Sequence, residues 1–234
     1  MNELFTKLLR CVDRNRLYNG IENLWRKELP QTSTSHLAAA EYTLELLRKA
    51  GLENAEMILF SADGKTVYQD KCMPLAWDAT IGKLTIRKSP LAFAEPVIAD
   101  VQRHPFHLVK GSVAIPEGKR IVRIITEAQL FAGEEASGAL VVCAPSTAPG
   151  SGILKPALDL GALGLISDYY AQSCRAQAPE AIGWINACTE GMNWHVIEGD
   201  RPFVCFSVTA AVGEQLRQAA DIGEVTALVE CDGR

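Results

Sequence analysis

The sequence predicts an α+β protein in which helices come first and a strand-rich region follows. Three observations carry this. Apolar residues recur at helical spacing up to about residue 50, and the period then shortens to strand-like runs. The C-terminal part reads as a strand–helix–strand unit, a further capped helix and an alternating last strand.

Leu4, Leu8, Cys11 and Val12 share one helical face, and Leu17, Ile21, Leu24 and Trp25 repeat that spacing. Asn19-Gly20 is a turn signal, so the segment is expected as two pieces or one kinked helix that Pro30 ends. The run Gln31–Ser35 offers N-cap oxygens for a helix with the stripe Leu37, Ala40, Leu44 and Leu47. Gly51 suits a left-handed end, with Leu52 folding back.

Strands are expected at Glu56–Ser61, Thr66–Tyr68 and within Trp77–Arg87, before an irregular crossing marked by Pro90, Pro96 and Pro105. Further strands are expected at Ser112–Ile115, Arg120–Thr126 and Ala139–Cys143. A helix with Pro156 in its first turn and Gly161 at its end leads to the return strand Leu163–Ser167. Residues 171–201 read as a long folded loop, and Phe203–Val208 as a strand. Thr209 caps a helix with Val212, Leu216, Ala219 and Ala220 inward, and Val225, Ala227, Val229 and Cys231 alternate in the last strand.

Composition narrows the function classes. At 234 residues, with 48% hydrophobic and 22% charged, the chain can bury a sizeable core without staples. A net charge of -5 with no long run of one sign excludes a nucleic-acid stripe. Glu3, Lys7, Arg10 and Asp13 interrupt the first apolar residues, so neither a leader peptide nor a membrane span is expected. The seven cysteines are odd in number and scattered through apolar segments, which predicts reduced thiols and a cytoplasmic protein.

Three stretches together resemble a known family. The helix from His36 through Ala50-Gly51-Leu52, followed at once by a strand, is similar to the front of zinc aminopeptidases related to glutamate carboxypeptidase. Gly138–Cys143 followed by Ala157–Ile166 resembles the protease-associated (PA) domain of such enzymes, as does Pro202–Ser207 followed by Gly213–Arg217. The resemblance implies an N-terminal helical and strand region over 1–110 and a β/β/α PA-like domain over 111–234.

It also implies a region that shapes substrate access or binds partners. The family's metal site needs a His-x-Asp, a bridging Asp, a Glu-Glu pair and further ligands in a domain after the PA part. No His here is followed two residues later by Asp, and the chain stops at Asp232-Gly233-Arg234. The expectation is no catalytic residue, no metal ligand and no cofactor in this chain, with zinc belonging to a catalytic domain outside it. In the relatives, the stripe Leu37–Leu47 and the segment Met57–Phe60 would lie against that domain. Left open, they predict a symmetric homodimer.

Several short patterns invite chemistry, and for most the bland reading is preferred. Glu134-Glu135 imitates a catalytic pair but precedes the PA core, so a solvated turn is expected. His104 and His107 are three apart with a proline between, which is not the helical spacing for zinc. Cys174, Cys188, His195 and Cys205 lack the short knuckle of a zinc site. Pro149–Gly152 lacks the Lys-Ser/Thr of a phosphate loop.

Trp184, Asn186, Trp194 and His195, in the long loop, are the candidate recognition surface, where aromatic and amide groups would meet a peptide or protein. Two other readings stay open: a self-standing protein- or peptide-binding module, and an enzyme with an unrecognised cysteine or metal site.

Overall fold

The computed structural model describes residues 2–186, 188–190 and 195–234. The chain divides into two compact units, Met1–Leu59 and Phe60–Arg234.

The first unit is helical: α1 (Asn2–Arg10), α2 (Arg14–Glu28) and α3 (Ser33–Lys49). The break falls at Asp13 rather than at Asn19-Gly20, which lies inside α2. The Asp13 carboxylate accepts from the Asn15 and Arg16 amides at 2.9 and 3.1 Å. Capping two orphan donors is worth about 1 kcal/mol, enough to offset the similar cost of an interior glycine.

Thr32 and Ser35 form a reciprocal capping box at the start of α3. At its end Gly51 takes φ +90° while the Leu52 amide returns to the Leu47 carbonyl at 3.1 Å. The side chains buried on α3 are Ser35 and Ala39. The expected leucine stripe is only partly covered, with Leu37 and Leu47 exposed. Small residues let helices approach closely, and here they take the packed position instead of the leucines. The side chains of Leu4 and Leu8 lie outside the described ones.

The second unit contains a small sheet, a large mixed sheet and helices. The small sheet pairs β1 (Val67–Tyr68) with β2 (Lys71–Cys72). The segment Glu56–Ser61 forms no strand, because no described strand pairs with it, and Ile58, Leu59 and Phe60 are exposed.

The large sheet comprises β3 (Gly82–Lys88), β4 (Val97–Asp100), β5 (Lys119–Thr126), β6 (Leu140–Val142), β7 (Gly164–Ser167), β8 (Phe206–Ser207) and β9 (Val225–Cys231). Its order is β4-β3-β9-β5-β6-β7-β8. The last strand, β9, runs antiparallel between β3 and β5, while β5 through β8 are parallel. Strands from before residue 111 therefore share a sheet with those after it.

The strand β4 lies in the proline-marked crossing, where Pro96 still serves as an acceptor for the Ile86 amide at 2.7 Å. Ser112–Ile115 is not a strand. The Val113, Ala114 and Ile115 amides bond to the Phe203, Gly233 and Cys231 carbonyls at 2.8 to 2.9 Å.

Helices α4 (Glu127–Phe131), α5 (Ser151–Asp159), α6 (Tyr169–Gln172) and α7 (Ala210–Ile222) complete the unit. Pro156 lies inside α5 rather than in its first turn, because the Gly150 carbonyl already starts the helix by accepting from Ile153 and Leu154. The cap at Thr209 is present, its hydroxyl accepting from the Val212 amide at 3.2 Å.

Two cores result. Leu140 and Val142 of β6 face a cluster with Leu216 and Ala219 of α7, whereas Val141 and Cys143 face Ile153, Leu154 and Ala157 of α5. A strand buried on both faces accounts for the uninterrupted apolar run Ala139–Cys143. In β9 only alternate residues are buried, so that strand keeps one open face. The architecture is α+β, as expected, and fits a PA-like β/β/α arrangement.

Candidate recognition cleft

Two loops distant in sequence are joined by backbone hydrogen bonds. The Leu75 amide donates to the Val196 carbonyl and the Glu198 amide to the Gly64 carbonyl, both at 2.9 Å. Gly64 is needed where they meet: its φ is +73°, and an added Cβ would lie 2.5 Å from the Glu198 nitrogen. Asp63 holds the turn before it by accepting from the Lys65 and Thr66 amides and from the Thr66 hydroxyl at 2.6 Å. Those bonds to the charged form hold its carboxyl at about 2.

Between these loops and the segment 110–113 lies a cleft of about 280 Å³. Its apolar wall includes Leu75, Trp77, Val113, Val196 and Pro202. Several polar groups at its edge are already engaged. Arg201 bridges Glu190 and Asp159 at 2.7 and 2.8 Å, Lys65 meets Glu198 at 3.6 Å, and the Trp77 indole donates to the Ser112 carbonyl at 2.8 Å. Those pairs hold the Asp159 and Glu190 carboxyls below the usual range.

Of the candidate residues, Asn186 and His195 both line this cleft. His195 Nε2 is 2.8 Å from the Cys72 carbonyl oxygen. A carbonyl accepts, so Nε2 carries the proton and Nδ1 is left as an acceptor. Trp184 sits elsewhere, exposed, with its ring 6.5 Å from that of Phe106. Trp194 lies outside the described residues.

Three of the remaining patterns are structural. Arg123 bonds the Glu135 carbonyl and lies 3.8 Å from the Glu134 carboxylate, so the Glu-Glu pair forms part of a surface turn. Cys188 and Cys205 are buried with sulfurs 3.6 Å apart, while Cys174 bonds the Ala171 carbonyl and His195 turns to Cys72. Gly150 is the extended N-cap of α5.

Sequence reasoning missed Asp168 and Arg217, a buried ion pair between residues far apart in the chain. It also missed the cleft wall, whose parts come from three separate segments. Among the described residues, no helix is long and apolar enough to cross a membrane.

No protein-family profile matches the sequence, and no curated protein matches it either. Solved structures do resemble it. The peptidase M28 precursor from Shewanella amazonensis SB2B aligns over 93% of this chain and 46% of its own, with TM-score 0.51 at 13% identity. BSAP, a zinc aminopeptidase from Bacillus subtilis, covers 92% and 43% with TM-score 0.46 at 11% identity. The aminopeptidase from Aneurinibacillus sp. strain AM-1 covers 95% and 45% with TM-score 0.39 at 13% identity.

The chain thus spans a little under half the length of these proteins. Among the described residues, no three His, Cys, Asp or Glu side chains are grouped to hold a metal ion. At the level of the fold, the chain resembles that M28 peptidase precursor over most of its own length.

Proposed function

We propose that this chain is an accessory, substrate-shaping region of an aminopeptidase-like protein, and that it binds peptide at the cleft without hydrolysing it. The cleft itself supports the reading. Its wall is largely apolar, and Glu198 and Arg201 at its edge already have ion-pair partners, so an apolar peptide side chain enters without breaking those pairs. Asn186 and His195 Nδ1, which has no partner among the described residues, are offered to the peptide backbone.

The test is the affinity of a fluorescently labelled hexapeptide of alternating leucine and serine, read by anisotropy. Val196→Asp is expected to weaken it at least about tenfold, roughly 1.4 kcal/mol. Equal binding by both proteins, or none by the wild type, would count against the cleft.

A second reading is a self-standing protein- or peptide-binding module that pairs with its own copy. The exposure of Phe5, Leu9, Tyr18, Ile21 and Trp25 on α1 and α2 favours it. On either reading the protein is proposed to be cytoplasmic, with its cysteines reduced and no cofactor of its own.

A further inference from the structure

A second cavity, of about 450 Å³, is formed beside β4 by the turn Pro105–His107 and the start of α7. That volume lies within the ~300–1,000 Å³ typical of small-molecule sites. Its apolar wall includes Phe93, Ile98, Ile182 and Val212. Two imidazoles line it, His104 and His107, with ring centroids 6.3 Å apart.

The hydrogen bonds settle both tautomers. His107 Nδ1 lies 2.8 Å from the Ser207 carbonyl oxygen, so Nδ1 carries the proton and Nε2 is an acceptor. His104 Nδ1 accepts from the Phe106 amide at 3.2 Å, so its proton is on Nε2, which is a donor. The pair therefore presents one fixed acceptor and one fixed donor.

Charge around the cavity selects against anions, and its hydrogen-bonding groups against cations. Arg103 is paired with Glu95 at 2.5 Å, and Glu180 adds a further carboxylate to the lining. An anion would meet two carboxylates against one committed guanidinium. A cation would be drawn by Glu180 but carries no acceptor for the His104 Nε2–H.

We infer that this cavity is a binding site for a small neutral molecule bearing a carboxamide on an apolar body. The amide N–H donates to His107 Nε2, its carbonyl accepts from His104 Nε2–H, and the body lies against Phe93 and Val212.

Benzamide is the probe, followed through the ring resonances of His36, His104, His107 and His195. At pH 7.5 those of His104 and His107 should move saturably, while those of His36 and His195 stay in place. Benzoate should move them at least about tenfold less at equal concentration, and His104→Phe should weaken benzamide at least about tenfold. Lowering the pH until His107 protonates should abolish binding, since Nε2 then becomes a donor. Asp100 and Arg103 act on that protonation in opposite senses, and His104 adds to Arg103.

Unmoved His104 and His107 resonances up to the solubility limit of benzamide would overturn the proposal without needing any variant. So would an equal response to benzoate, which would mark an anion site, or undiminished binding by His104→Phe.

Discussion

Arg217 grips Asp168 with two parallel hydrogen bonds, Nη1 to Oδ1 at 3.0 Å and Nη2 to Oδ2 at 2.8 Å, and the carboxylate is fully buried. The same guanidinium donates to the Cys143 carbonyl at 2.9 Å, and Gln172 adds a third bond to Asp168 at 2.8 Å. One arginine on α7 thus joins the ends of β6 and β7. Removing it strands a buried charge, which costs about 3–5 kcal/mol. Arg217→Ala should lose stability of that order in urea unfolding, and Arg217→Lys much of it, because an ammonium cannot make the paired contact.

Gly213 is the companion of that grip, since an added Cβ would lie 2.2 Å from Asp168 Oδ2. Gly213→Ala should therefore destabilise despite the better helix propensity of alanine, by about 1–3 kcal/mol. A rise in the unfolding midpoint would contradict the packing described here.

At the cleft, Gly64→Ala forces strain at φ +73° and a clash with the Glu198 amide. The expected result is weaker peptide binding with the rest of the fold kept, read by anisotropy beside circular dichroism. Unchanged affinity would separate the loop junction from recognition.

Acid should destabilise the second unit through His107. Burial holds its folded pKa below the ordinary 6.5, so the unfolded chain takes up the proton more readily. Stability is full above about 6.5 and falls as the pH drops toward the depressed folded value. His104, also lowered by burial, adds in the same direction. Unfolding free energies from pH 7.5 down to 5 should show this slope in the wild type and a shallower one in His107→Gln. Equal slopes would rule the histidine out as the cause.

The thiols should react in order of access. Cys11 is exposed, whereas Cys143, Cys188, Cys205 and Cys231 are buried. Burial raises the Cys143 and Cys205 thiols and pushes Cys231 up to about 11. A thiol reagent at neutral pH should modify Cys11 within minutes and these four only on unfolding. Fast modification of Cys205 in the native protein would contradict its burial.

Much of this architecture was legible in the sequence because local chemistry set it. Thr32, Gly51 and Thr209 mark helix ends through bonds made within a few residues. The alternation of Val225–Cys231 reports one buried face directly. Elsewhere tertiary partners decided. Glu56–Ser61 has the composition of a strand but no strand partner among the described residues, and Val113–Ile115 spend their amides on Phe203, Gly233 and Cys231. The short strand β4 was hidden among prolines. Of the site, the loop carrying Asn186 and His195 was legible from its irregularity. Its opposite wall, from Leu75 to Trp77, was not, because hydrogen bonds between distant loops bring it there.

The claim that this chain recognises peptide without cutting it is tested most directly by one NMR titration with a leucine-containing hexapeptide in the presence of zinc. The account predicts that the Asn186 side-chain amide and the His195 ring shift saturably while the peptide spectrum stays intact. Stationary Asn186 and His195 signals, or the appearance of cleaved peptide, would contradict it.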